Sequence, residues 1–210
     1  MNMSITAEES LLSQMVSMAT LILALQSNQF LRSEFYKEMN FPFGCGNKGI
    51  ENEDEQNAEK FMHYILERSG VFNPATAQML LYGLIVVPRE MLKGSDDEEC
   101  ISRCKEKVNT ILQNNSGRLH TTQTTYKGET VSSMNYYKHI RNALAHARCI
   151  YTPEEDADHC VTFSDVDMRD ENQHCEIKIS TFVLGMIILA IRDEITIYLN
   201  QKWEKRKGSH

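Results

Sequence analysis

The order of apolar and polar positions along the chain predicts a mainly helical protein. Thr6-Ala-Glu-Glu9 reads as a capping box, followed by Leu11, Met15, Met18, Ile22 and Leu25 at helical spacing, in a helix running to about Met39. Residues 40–54, with Pro42, Gly44, Gly46 and Gly49, read as a loop. A second helix covers about Glu55 to Ser69 and stops at Gly70. Asn73-Pro74 then opens another, with Met79, Leu80, Leu84 and Val87 facing inward, and Pro88 kinks it or starts a short helix through Leu92. Ser95-Asp-Asp-Glu98 is a second capping box, leading a helix that buries Ile101, Val108, Ile111 and Leu112.

Residues 114–132 are polar and threonine-rich and read as one long loop, placed to act as a lid or substrate guide for the helix after it. Cys160–Phe163 and Cys175–Ile179 alternate in type around a turn-rich interval, which predicts a β-hairpin that must lean on the helices. Ser180 to about Lys205 is the last helix. It is apolar nearly all round at its start, is interrupted too soon by Arg192-Asp193-Glu194 to span a membrane, and is expected to be central and buried.

Between loop and hairpin lies the segment with the most chemistry. Taken as a helix from Ser133 to Ile150, it places Tyr136, Tyr137, Ile140, Ala143, Leu144, Ala147 and Ile150 on one face. Asn135, Lys138, His139, Arg141, Asn142, Ala145, His146 and Arg148 share the other arc. A permanently charged guanidinium and an imidazole that titrates near neutrality, five positions apart, suit a metal-free attack on a phosphodiester. The small Ala145 between them leaves room for a phosphate or a second helix.

Spacing alone carries little weight. Ten arginines and seven histidines in 210 residues predict about a third of a match by chance. A second match exists in Arg169 and His174, but those residues lie in an acidic stretch that reads as a turn.

The run Arg-Asn-Ala-Leu-Ala-His, preceded by Tyr137-Lys138-His139-Ile140 and followed by Ala147-Arg148, resembles the Arg-polar-x-x-x-His signature of the HEPN superfamily. Long helices before the motif and one apolar helix after it match that fold. The nearest likeness is to a plasmid-encoded branch in which a β-hairpin follows the motif. The resemblance implies a HEPN-like helical bundle with a small hairpin between the motif helix and the last helix. It also implies a homodimer with a composite site: His146 as base or acid on a ribose 2′-hydroxyl, Arg141 on the attacked phosphate and Asn142 positioning them. Lys138, His139 and Arg148 are the expected substrate-binding residues. The products would be a 2′,3′-cyclic phosphate and a 5′-hydroxyl, with an antitoxin such as a nucleotidyltransferase as a further partner in toxin or defence systems.

Bulk properties narrow this picture. A net charge of −7 excludes a protein that coats nucleic acid indiscriminately and leaves binding to one local cleft, aided by Arg118, His120 and Lys127 and by the terminal Lys202, Lys205, Arg206 and Lys207. Residues 1–207, with 41% hydrophobic content overall, are expected to form one domain, and 208–210 read as a tag remnant. The start lacks a signal peptide's pattern, so a cytoplasmic protein with six reduced cysteines is expected. Cys100 and Cys104 lie one turn apart, yet no second pair completes a metal set, and no cofactor is expected. The glycines around Cys45 lack the terminal Lys-Ser or Lys-Thr of a phosphate loop. Two other readings stay open: a noncatalytic nucleotide or RNA binder, and a helical partner-binding module.

Overall fold

The computed structural model describes residues 5–25, 74–92, 98–115, 119–152 and 160–208. The expected helix of residues 55–69, the glycine-rich loop, the Ser95 capping box and the course of the first helix beyond Leu25 lie outside them. The chain divides into two compact units, residues 1–17 with 78–210, and residues 18–77. The second contributes only residues 18–25 and 74–77 to the description, with Ala19, Ile22 and Ala77 buried.

Helix α1 (Ala7–Leu25) begins at the predicted capping box. The Thr6 N–H donates to Glu9 Oε2 at 3.1 Å and the Glu9 N–H to Thr6 Oγ1 at 3.2 Å. Its buried positions are Glu9, Leu12, Ala19 and Ile22, whereas Leu11 and Met18 of the expected stripe are exposed. Apolar residues occupy nearly every side of this helix, so periodicity does not select a face. Glu9 does, because its carboxylate is gripped by the Arg206 fork at 2.6 and 2.7 Å.

Helix α2 (Pro74–Leu81) runs through a π-helical turn, Tyr82–Val86, into α3 (Val87–Leu92). Pro88 supplies the reason, since it has no N–H to continue the ladder; the preceding turn widens, and the Val87 N–H donates to Tyr82 O. Leu80, Leu81, Leu84, Ile85 and Val86 are buried, and Met79, expected inward, is exposed. Helix α4 (Glu98–Asn114) buries Cys100, Cys104, Val108 and Leu112, one residue per turn.

Four antiparallel strands in the order β1-β4-β3-β2 make one sheet: β1 (Leu119–Thr124), β2 (Cys149–Thr152), β3 (Cys160–Val166) and β4 (His174–Ser180). The expected hairpin is β3-β4, paired from Cys160↔Ser180 to Val166↔His174. The two outer strands are additions to that expectation. β1 lies inside the stretch read as a loop, where its polar, threonine-rich sequence gives no alternation to read. Val161, Phe163, Cys175, Ile177 and Ile179 form the buried face of the central pair.

Helix α5 (Tyr136–Ala145) packs against β3, α4 and the π-helical turn, and α6 (Thr181–Gly208) packs along α4. α6 buries Val183, Leu184, Ile187, Ile188, Ile191 and Ile195, but Phe182, Leu189 and Ile197 stay exposed in the single chain, so it is one-sided rather than central. Among the described residues no helix is long and apolar enough to cross a membrane.

Candidate active site on the motif helix

Helix α5 starts where side chains satisfy its first N–H groups. Asn135 Oδ1 accepts from the Lys138 N–H at 3.2 Å, and Asn109 Oδ1, reaching over from α4, accepts from the Tyr137 N–H at 3.0 Å. The helix ends at Ala145, not at Ile150 as its periodicity predicts. Arg148 N–H donates to Ala143 O at 2.8 Å and Ala147 N–H to Leu144 O at 3.1 Å, the paired bonds of a Schellman turn. Ala147 takes the left-handed position with φ +53°, where glycine is favoured. The turn leaves Ala145, His146 and Ala147 exposed and sends the chain into β2, where Ile150, opposite Thr162, faces solvent rather than the core. His146 is thus the C-cap, the residue just past the end of the helix, and not part of a continuing polar arc.

His139 lies inside, 1% exposed, although the helical projection puts it on the polar side. Its Nδ1 is 2.7 Å from Asp165 Oδ2 on β3, and its Nε2 is 2.6 Å from Glu129 Oε2. The imidazolium form satisfies this arrangement, because both ring N–H groups then donate to carboxylates. Asn142 Nδ2 donates to the same Asp165 Oδ2 at 3.0 Å. Tyr126 stacks obliquely on His139 at 4.8 Å between ring centroids, and Lys138 Nζ sits 4.8 Å from the Tyr126 centroid and 3.5 Å from Glu129 Oε1. Burial pushes the Asp165 carboxyl upward, but the hydrogen bonds from His139, Asn142 and Tyr126 and the charge on His139 together hold it below the usual range. The Tyr126 hydroxyl is pushed up by burial and by the Asp165 charge.

Glu129 reaches His139 through a tight turn. The Glu129 N–H donates to Tyr126 O at 3.1 Å, and Gly128 has φ +79°, the value required of the third residue of a type II turn.

The arginines divide. Arg141 is half-buried on α5, with Nη1 at 3.8 Å from Glu90 Oε1. Burial and the nearby Arg89 both disfavour its charge, and Glu90 favours it. Arg148 is committed to the end of β3, with Nη1 donating to Val166 O at 3.2 Å and Nη2 facing Met168 Sδ at 3.4 Å. Of the six residues singled out by sequence, His139 and Asn142 therefore meet at Asp165, Lys138 joins them through Glu129, and Arg141, His146 and Arg148 point elsewhere. The second Arg–His match sits around the β3-β4 turn, where His174 Nδ1 lies 3.1 Å from Thr125 Oγ1.

The sequence matches the family described as HEPN pEK499 p136 over residues 13–202. The chain belongs to this HEPN family. That match takes in all of α5 and the sheet, and it places the protein in the plasmid-associated branch of the HEPN superfamily. No curated protein and no solved structure matches the chain significantly.

In this HEPN domain the residues that sequence reasoning missed are Asp165, Glu129 and Tyr126, with Glu90 and Arg89 beside Arg141. Asp165 had a readable signal: it follows Val161 and Phe163 at every second position, so it occupies an inward register of a strand, where an acid needs a partner. The Cys104 thiol is pushed up by its hydrogen bond with Cys100 and by burial, and the Cys175 thiol, paired across from Asp165, is pushed up to about 12 by burial and the Asp165 and Glu129 charges. Shifts in that direction disfavour a thiolate nucleophile at neutral pH. No cluster of three His, Cys, Asp or Glu groups able to hold a metal is found among the described residues.

Proposed function

We propose that this HEPN domain is a metal-independent RNA endonuclease that works as a homodimer, with His146, Arg141 and Asn142 of both copies forming one composite site. The observation that carries the reading is the end of α5. An exposed imidazole on the helix C-cap and a half-buried guanidinium flank the exposed, small Ala145, and the intervening Asn142 is held by Asp165. A strand laid across Ala145 meets a cation for its phosphate and an imidazole for its ribose.

The reaction follows from those groups. His146 takes the proton of a ribose 2′-hydroxyl, and the oxygen attacks the adjacent phosphorus. Arg141 stabilises the charge that builds on the phosphoryl oxygens, and the 5′-oxygen leaves with a proton supplied by an imidazolium. The bond formed is 2′-O to P and the bond broken is P to 5′-O, giving a 2′,3′-cyclic phosphate and a 5′-hydroxyl. Lys138, held at Glu129 and Tyr126, and Arg148, held at the end of β3, would have to leave those partners to meet the strand. An antitoxin such as a nucleotidyltransferase, and toxin or defence roles in the cytoplasm, belong to the same proposal.

The test is cleavage of labelled RNA by the purified protein in excess EDTA, with end groups mapped. Cleavage that persists in EDTA and is lost in His146→Ala and Arg141→Ala supports the reading, and intact RNA with the folded dimer overturns it. A noncatalytic RNA- or nucleotide-binding role is favoured by one observation, the approach of Glu90 to Arg141. It predicts binding with unchanged ends.

A further inference from the structure

Arg141 is not the only guanidinium at its end of the molecule. Arg89 on α3 places its Nη1 2.7 Å from Glu90 Oε1, and Arg141 Nη1 lies 3.8 Å from the same oxygen. One carboxylate oxygen therefore stands between two arginines from two different helices. Both guanidiniums also act electrostatically on the buried Tyr137 phenol, whose hydroxyl donates to Ile85 O at 3.3 Å in the π-helical turn. The convergence has a local cause. The widened turn before Pro88 re-phases the helix, so that Leu84, Ile85 and Val86 stay buried against α5 while Arg89 comes up beside Arg141.

The charges do not balance tightly. Two guanidiniums, with side chains 27% and 21% exposed, share a Glu90 carboxylate that is 56% exposed and held by α3 alone. A pair of arginines this close is costly without an anion between them, and a single exposed carboxylate is a weak and easily displaced one. A phosphodiester offers two non-bridging oxygens, so it suits two arginine forks better than one shared carboxylate oxygen.

We infer that Arg89 and Arg141 form a two-arginine clamp for a phosphodiester of a single-stranded RNA, and that Glu90 is its built-in stand-in anion, displaced when the strand binds. Arg89 is then a substrate-binding residue, and Glu90 sets a threshold that disfavours weakly charged ligands. This rests on the proposed ribonuclease reading for the identity of the strand, but its test does not require cleavage.

The experiment uses the full chain and a 2′-O-methyl oligoribonucleotide, which lacks the attacking hydroxyl and is not cut. Affinity is measured from low to physiological salt for the natural sequence, Glu90→Gln, Arg89→Gln and Arg89→Lys. Glu90→Gln is expected to bind about 3–10-fold more tightly. Arg89→Gln is expected to bind about 5–10-fold more weakly and to lower the slope of log affinity against log salt by about 0.7, the loss of one phosphate contact to a single strand. Arg89→Lys keeps the slope, which separates lost charge from lost folding. Side-chain Nε–H NMR signals of Arg89 and Arg141 are expected to move together as strand is added. A slope unchanged in Arg89→Gln, a Glu90→Gln protein no tighter than the natural one, or no binding at all overturns the clamp. Binding that follows this pattern with RNA ends intact in the EDTA assay leaves the clamp standing and removes the nuclease reading instead.

Discussion

His139 Nδ1 and Asp165 Oδ2 lie 2.7 Å apart, with side chains 1% and 3% exposed, and the same Asp165 oxygen accepts from Asn142. One buried carboxylate thus ties the inward-facing histidine of α5 to the polar residue that follows Arg141. Removing its charge leaves a buried cation with Glu129 as its remaining carboxylate. Asp165→Asn is expected to lower stability by roughly 3–5 kcal/mol, the range for breaking a buried ion pair. Urea unfolding checks this. A loss below about 1 kcal/mol would show that the histidine is held neutral.

The same aspartate predicts an acid-sensitive fold. Its pKa in the folded protein lies below the ordinary 3.8, so its contribution is fully present above that value. The contribution is lost as pH falls through the lowered folded value. Stability of the natural protein should therefore decline more steeply below about pH 4 than that of Asp165→Asn, by about one bound proton in the slope. Denaturation midpoints collected from about pH 5 down to about pH 2 provide the comparison.

Ala147 holds a left-handed backbone that glycine adopts without cost. Ala147→Gly is expected to stabilise by about 1 kcal/mol, which raises the melting temperature by about 2–4 °C in a protein of this size. The β-branched Ala147→Val should do the opposite. Equal melting temperatures for all three would mean that the turn relaxes.

Gly128 asks for the reverse substitution. At φ +79° a Cβ meets nothing within 4 Å, so Gly128→Ala is penalised by backbone strain alone, by about 1 kcal/mol. Because the turn delivers Glu129 to His139, the His139 ring signals in NMR should shift as well. An unshifted spectrum would separate the turn from the network.

Glu9 carries two tasks, the capping box and the Arg206 fork. Glu9→Gln should cost roughly 2–4 kcal/mol, more than a cap alone. The double change Glu9→Gln with Arg206→Met should cost less than the two single changes added together, because each removes the same pair. Strict additivity in thermal or urea melts would refute the coupling.

What could be read in the sequence followed from local rules. The Thr6–Glu9 cap, the helix break at Pro88, the β3-β4 hairpin and the inward Tyr137, Ile140 and Leu144 all depend on residues a few positions apart. The misplacements arise where distant partners decide. Leu11 faces out because Arg206 draws Glu9 in, and His139 faces in because Asp165 and Glu129 arrive from other parts of the chain. Ile150 reads as the last turn of an amphipathic helix until β3 takes Cys149–Thr152 as an edge partner. Arg89 gave no signal, since nothing local links α3 to the motif.

The sheet order also sets how far apart in the chain the strands that frame the motif lie. β1 precedes the motif helix and β2 comes after it, yet β1 closes on β4 at Leu119↔Ile179, across the whole stretch that contains α5, β2 and β3. That closure spans a long loop, and its entropy must be overcome before any of its contacts form. The segment bearing Arg141 and His146 is therefore enclosed by a pairing of long sequence separation, which carries a high closure cost. A nascent chain lacking β4 cannot yet enclose it, so the motif is fully framed only after synthesis has passed Ser180.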